Sequence, residues 1–194
     1  VNALSEWLKV EINRDCNHYE QLYKRGTPQH ELEITGLSTI NGTKVTFKPD
    51  KEIFETTIFD THFLINRLKE LAFLNNNLSI SFVNELTQER FDFYYEGGIK
   101  EYLQFILSGK TSILPEPVYL IKPDDELFIE ICFNYASSYG ETIYSFVNSI
   151  NTRDGGTHVY GFKSGILKVI NEKANLLKYN KDPSKDLFSS DDIK

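Results

Sequence analysis

The residue types best able to do chemistry sit in two glycine-broken segments. One is Tyr94-Tyr95-Glu96-Gly97-Gly98-Ile99-Lys100; the other is Asn151-Thr152-Arg153-Asp154-Gly155-Gly156-Thr157-His158. In each, an apolar or alternating run stops at Gly-Gly and a helical pattern follows, which reads as a strand-to-helix junction. The free N–H groups at a helix start can bind phosphate. Neither segment has the Gly-x-x-x-x-Gly-Lys-[Ser/Thr] spacing of a phosphate-cradling loop. The glycines therefore read as backbone relief, and Thr157 as a helix cap. His158 reads as a packed or capping side chain rather than a catalyst.

Other candidates have plain readings. Gly42-Thr43-Lys44-Val45 is a turn feeding an alternating strand, with Thr43 and Val45 on one face. Arg14, before the turn Asp15-Cys16-Asn17, reads as a solvated hairpin charge, and Arg25-Gly26-Thr27-Pro28 as a strand exit with a turn. The acidic runs Asp124-Asp125-Glu126 and Asp191-Asp192 have no histidine or glycine-rich loop beside them, so they read as a solvated loop and a helix start. Cys16 and Cys132 show no CxxC or Cys/His metal spacing; buried, reduced thiols in a reducing cytoplasm are expected. No Ser/His/Asp set, zinc spacing or dinucleotide fingerprint is present.

The elements that must position these residues follow from periodicity. Val1, Leu4 and Leu8 recur at helical spacing, so a helix is expected at the start. Strands are expected at 9–12, 19–23, 31–35 and 43–47, the last stopping at Pro49-Asp50. Phe63, Leu64, Leu68, Leu71 and Ala72 mark an amphipathic helix over 61–74, with Asp60 as a plausible cap. Residues 78–83 and 90–95 form a hairpin, 99–107 a short helix, and 127–135 and 145–150 further strands. Val159, Phe162, Ile166, Val169 and Ile170 mark a long helix over 157–176, followed by a polar linker at 178–186. Ser189 and Ser190 precede acidic residues as at a helix start. Antiparallel strands with inserted helices predict an α+β fold, with a boundary either near Gly97-Gly98 or in 115–123.

The chain has 194 residues, 40% of them hydrophobic and 13% aromatic, enough for one large domain or two small ones. No apolar stretch approaches the ~18 residues of a membrane span. The net charge of −7 excludes a generic basic coat for DNA, so any DNA contact must be local. There is no methionine, and both ends read as interrupted helices. An internal piece of a longer protein is expected.

Several ordered motifs together resemble one family. They are Val1-Asn2-Ala3-Leu4-Ser5, Gly42-Thr43, Arg67-Leu68-Lys69-Glu70-Leu71-Ala72-Phe73-Leu74-Asn75, Tyr95-Glu96-Gly97-Gly98, Asp154-Gly155-Gly156-Thr157-His158 and Asp191-Asp192-Ile193-Lys194. The family is the ATPase-bearing subunits of bacterial type II topoisomerases, above all the DNA gyrase B subunit. The resemblance runs over nearly the whole chain. It implies the C-terminal part of a GHKL-type ATPase α/β sandwich over 1–97. It also implies an incomplete transducer domain over 98–194, with a left-handed βαβ crossover. Thr43 is then expected to help bind adenine, partly through water, above Val45 as an apolar floor. Arg14 is expected at the mouth of the nucleotide pocket, where aminocoumarin inhibitors bind, and Arg153 facing the cavity that holds the transported duplex.

The resemblance further implies ATP and Mg2+ as cofactors of the intact protein. Its implied partners are a gyrase A subunit carrying the cleavage tyrosine, a DNA duplex, and a second copy of the B subunit in an ATP-dependent homodimer. The resulting activity is the introduction of negative supercoils. A topoisomerase IV B-type subunit, which decatenates, and a non-catalytic binding or dimerisation module remain as alternatives. A mismatch-repair ATPase of the same broad class would lack the two Gly-Gly motifs in this order. The family's general-base glutamate, magnesium-binding asparagine, adenine-binding aspartate and glycine-rich lid fall before Val1, and its γ-phosphate lysine after Lys194. Hydrolysis needs a positioned water, a metal and charge stabilisation at the γ-phosphate. Residues 1–194 alone are therefore expected to hold neither ATP nor Mg2+ and to show no ATP turnover. A steady-state phosphate-release assay on that chain checks this, and measurable turnover would refute it.

Overall fold

The computed structural model describes residues 1–123, 126–137, 140–182 and 184–193. The acidic pair Asp124-Asp125 lies outside the described residues. The chain forms two compact units, Val1–Asp60 and Thr61–Lys194.

The first unit is an antiparallel sheet. β1 (Ser5–Arg14) lies between β2 (Asn17–Lys24) and β5 (Gly42–Pro49), and the short strands β3 (Thr27–Pro28) and β4 (Glu33–Leu37) both pair with β2. The expected opening helix is absent. Asn2–Leu4 makes a single 3-10 turn, and Leu8 belongs to β1. Its spacing from Leu4 suits a helix, but Leu8, Val10 and Ile12 alternate, and pairing on both sides of β1 satisfies the strand period. The tight turn between β1 and β2 holds Asp15 at φ 52° and Cys16 at φ 61°. Cys16 is exposed and Cys132 only half-buried, so neither thiol is sealed in a core as expected.

One ion pair anchors the end of β5. Asp50 is buried, and its carboxylate accepts from Arg25 Nε at 2.7 Å and from the Glu52 N–H at 3.0 Å. Arg25 is therefore more than the strand exit expected from its sequence context; it neutralises a buried carboxylate, which would be costly unpaired.

The second unit joins helices to hairpins. α1 (Thr61–Leu74) has the bounds expected from its periodicity. Of the expected face, Ala72 is fully buried and Leu64, Leu68 and Leu71 are half-buried, but Phe63 is 61% exposed, and Phe73, outside that face, is only 2% exposed. β6 (Ile80–Asn84) pairs with β7 (Glu89–Phe93), and α2 (Gly98–Ile106) follows. The Phe73 ring stacks on Tyr95 at 3.6 Å and on Tyr102 at 4.9 Å between centroids, with Phe105 at 6.0 Å. Burial, then the nearby Glu70 charge, pushes the Tyr102 phenol up to about 12.

β8 (Val118–Lys122) pairs with β9 (Ile129–Phe133). β8 falls in the proline-flanked stretch that the sequence offered only as a boundary. The Tyr119 hydroxyl donates to Glu130 at 2.6 Å, which with burial raises that phenol to about 12. The strand expected at 145–150 is instead a hairpin of two-residue strands, β10 (Phe146–Val147) and β11 (Ile150–Asn151). α3 (Thr157–Leu176) again has its expected bounds, and Phe162 packs edge-on against Phe133 at 5.7 Å. Near its C-terminus the buried Asn171 accepts from the Leu187 and Phe188 N–H groups, both at 2.9 Å, and donates to the Phe188 carbonyl at 3.0 Å. Every ladder among the described residues is antiparallel, so no parallel pair there carries the implied βαβ crossover. The mixture of helices and antiparallel hairpins is the expected α+β class.

Gly97 and Gly98 have unequal roles. Gly97 has φ −72° at the helix N-cap, whereas Gly98 has φ +56° and a Cβ there would come within 2.1 Å of Asn76 Oδ1. Gly98→Ala is expected to destabilise the fold by about 1–2 kcal/mol, partly relieved by rotation of Asn76, and Gly97→Ala by less. Urea unfolding midpoints of the two variants check the order.

Candidate nucleotide wall and hairpin anchor

The register of β1 decides which side chains meet on the first unit's sheet. Ile12 lies opposite Thr43 and Val10 opposite Val45, while Arg14 is two residues beyond Ile12. Directly opposed residues share a face, and alternate residues along a strand share it too. Arg14, Thr43 and Val45 therefore stand on one face, together with Leu8, Val10, Ile12 and Phe47. Thr43 and Val45 are exposed, Val45 at 52%. Arg14 makes a surface pair with Asp15 at 3.5 Å. Such an exposed pair is weak, and it leaves the guanidinium able to turn to another anion. The face thus offers a hydroxyl, an apolar floor and a terminal cation in register. A charged cavity of about 620 Å³, lined by Glu6, Lys24, Arg25 and Asp50 among others, belongs to the other end of β1, about 25 Å along the strand from Arg14.

The opposite face is an ion-pair network. Glu11 lies directly opposite Glu20. Lys9 Nζ reaches Glu20 at 2.9 Å and Glu11 at 3.5 Å, and Lys44 reaches Glu11 at 3.4 Å. Burial pushes the Glu11 carboxyl up, but the two lysines outweigh it and hold it below its ordinary range. Glu11, His18 and Glu20 have donor atoms within 4.8 Å of one another, a spacing that could hold a metal ion. The two lysines already supply the positive charge that the carboxylates require, and His18 Nδ1 is engaged by Asn13 Oδ1 at 2.7 Å. The set is a self-neutralised network.

In the second unit, Arg153 is exposed at the turn between β11 and α3. The residue before it is firmly held. The Thr152 N–H donates to the Ser145 carbonyl at 2.8 Å, and the two side-chain hydroxyls meet at 2.6 Å. The Gly155 N–H then donates to the Thr152 carbonyl at 2.8 Å. Gly156, at φ 153°, is the N-cap of α3, with no side-chain hydrogen bond at the cap. Thr157 is thus the first helical residue and not the cap expected. His158 folds back so that its Nε2 lies 3.1 Å from Thr152 Oγ1. A Cβ on Gly156 would press on the His158 ring at 2.9 Å. The second glycine makes room for this ring.

A contact between two distant motifs escaped the sequence reading. Arg67 Nη2 donates to the Ser149 carbonyl at 2.7 Å, and Asn151 Nδ2 donates to Glu70 Oε1 at 3.3 Å. The available signal was a cation and an anion three residues apart on the half-buried side of α1, where plain solvation would place neither.

A family model for DNA gyrase B matches residues 98–194. The DNA gyrase B subunit of Borrelia hermsii is 45% identical over 174 residues, covering 89% of this chain and 27% of the relative. The Thermotoga maritima DNA gyrase B subunit is 42% identical over 204 residues, covering 100% of this chain and 31% of the relative. The DNA topoisomerase 4 B subunit of Staphylococcus epidermidis is 44% identical over 195 residues, with coverages of 98% and 29%. Among solved structures, the 43K ATPase domain of Thermus thermophilus gyrase B, in complex with an aminocoumarin, aligns with a TM-score of 0.80. It is 33% identical, with 93% of this chain and 50% of that one covered. The chain thus spans less than a third of the length of these curated relatives.

Thr152 is the fastening point of the Arg153 turn. Thr152→Val, which keeps the shape and removes the hydroxyl, is expected to cost about 1 kcal/mol and to release His158. Chemical denaturation and the NMR chemical shift of the His158 ring check both effects.

Proposed function

Because the chain belongs to the DNA gyrase B family, we propose that it is part of the ATP-hydrolysing subunit of a type II topoisomerase. The family match over 98–194 carries this reading. The intact protein uses ATP-driven closure of a B-type dimer to pass one DNA duplex through a break in another and introduces negative supercoils. An A-type subunit supplies the cleavage tyrosine, and the assembly works in the cytoplasm. No helix among the described residues is long and apolar enough to cross a membrane.

Within this reading, residues 1–97 are the end of the ATPase domain and 98–194 an incomplete transducer, a division supported by the start of the family match at Gly98. Arg14, Thr43 and Val45 form one wall of the nucleotide site. Their shared face suits a nucleotide in three ways. A threonine hydroxyl both donates and accepts toward a purine edge, Val45 supplies apolar contact, and Arg14 stands ready for an anionic group. ATP with its Mg2+ supplies the phosphoryl chemistry when bound, and the groups that act on the γ-phosphate belong to the rest of the intact protein. Arg153 contacts the transported duplex through phosphate, a local contact compatible with an acidic chain.

A second reading, a topoisomerase IV B-type subunit, has a specific observation behind it. The 44% identity to the Staphylococcus epidermidis protein is level with the gyrase values of 45% and 42%. The full-length subunit, assayed with an A-type partner on relaxed and on catenated plasmid, separates the two. ATP-dependent negative supercoiling supports gyrase, decatenation without it supports topoisomerase IV, and neither activity overturns the assignment. In the same protein, Thr43→Ala is expected to raise the KM for ATP about tenfold, the loss of one good hydrogen bond. Arg153→Ala is expected to lower the salt dependence of DNA binding by about one phosphate contact. An unchanged KM would remove Thr43 from the nucleotide wall.

A further inference from the structure

The fold joins two sequence-distant motifs at the β10–β11 turn. Arg67 Nη2 donates to the Ser149 carbonyl at 2.7 Å, while Nη1 of the same guanidinium pairs with the Glu70 carboxylate. Glu70 accepts in turn from Asn151 Nδ2 at 3.3 Å, and Asn75 Nδ2 reaches Ser149 Oγ at 3.4 Å. Arg67 and Glu70 are only 32% and 16% exposed at the side chain, so these charge-assisted bonds are partly shielded from water.

The turn they grip is poorly able to hold itself. Asn148 and Ser149 both lie in the left-handed region, at φ 49° and 62°, and neither is glycine. The flanking strands have two residues each. So short an isolated hairpin is unstable in water. It also leads directly into Thr152 and Arg153.

We infer that Arg67 and Glu70 are positioning residues for Arg153: from α1 they fix the 148–149 turn and so the direction in which Arg153 leaves the hairpin. This rests on the reading of Arg153 as a DNA contact given above. The arrangement has a mechanical logic. α1 is the next helix in the chain after β5, which carries Thr43 and Val45, so one helix follows the nucleotide wall in sequence and is hydrogen-bonded to the hairpin of the DNA contact.

The test uses the full-length subunit with its A-type partner, comparing wild type, Arg67→Ala, Arg67→Lys and Glu70→Gln. In Arg67→Ala, amide hydrogen exchange over 148–152 is expected to accelerate about tenfold relative to α1. Supercoils introduced, or catenanes resolved, per ATP hydrolysed are expected to fall about fivefold, the effect of misplacing a distant contact. Arg67→Lys, which reaches one acceptor but not two, is expected to recover part of both losses. Glu70→Gln keeps the shape and an acceptor for Asn151 and is expected to show a smaller loss, which retains the test if Arg67→Ala folds poorly. Unchanged exchange at 148–152 overturns the tether. Faster exchange with an unchanged yield per ATP overturns its role in positioning Arg153. A wild-type protein without topoisomerase activity overturns the functional reading instead, and the exchange arm then decides the tether by itself.

Discussion

The burial of Phe73 is the constraint on which the second unit depends. A fully buried aromatic side chain contributes about 2–3 kcal/mol, and each well-placed ring partner adds about 1 kcal/mol. Phe73 has Tyr95, Tyr102 and Phe105 around it. Tyr95 precedes the Gly97-Gly98 junction, and the other two follow it on α2. The backbone must therefore turn sharply between them, and Gly98 at φ +56° makes that turn. Once Phe73 fixes α1, the helix also presents Arg67 and Glu70 to the β10–β11 turn. The first Gly-Gly pair thus serves ring packing, and the second serves the return of His158 onto Thr152.

In the first unit the corresponding constraint is the pairing of β1 on both edges. Its alternation sends Leu8, Val10, Ile12 and Arg14 to one side and Lys9, Glu11 and Asn13 to the other. One side collects the candidate nucleotide residues, and the other becomes a neutralised charge network. A shift of the register by one residue would exchange the two sets. The acidic balance of the chain is thereby partly absorbed locally, as Lys9 and Lys44 hold Glu11 and Glu20.

Legibility in the sequence followed the range of the interaction. The bounds of α1 and α3 were readable because a 3.6-residue period persists over several turns. Strands β1, β2 and β5 were readable from alternation and their turns. The N-terminal segment was misread because Val1, Leu4 and Leu8 fit a helical spacing as well as Leu8, Val10 and Ile12 fit a strand. The β10–β11 hairpin was misread because two-residue strands carry no period, and β8 was missed because prolines flank it. Of the candidate site, the shared face of Thr43 and Val45 followed from spacing alone. That Arg14 joins them required the β1–β5 register. The Arg67–Ser149 bond, across 82 residues, left only the Arg67/Glu70 charge pair on α1 as a local trace, which does not name its distant partner.

The β1–β2 turn also gives the protein a natural handle for spectroscopy. Its two cysteines differ in chemistry: Cys16 is exposed at the hairpin tip, whereas Cys132 is half-buried and its thiol is pushed up mainly by burial. A thiolate-seeking dye will therefore react first at Cys16. The label would stand two residues from Arg14, where a fluorophore reports on the surroundings of the neighbouring sheet face through a cysteine native to this sequence.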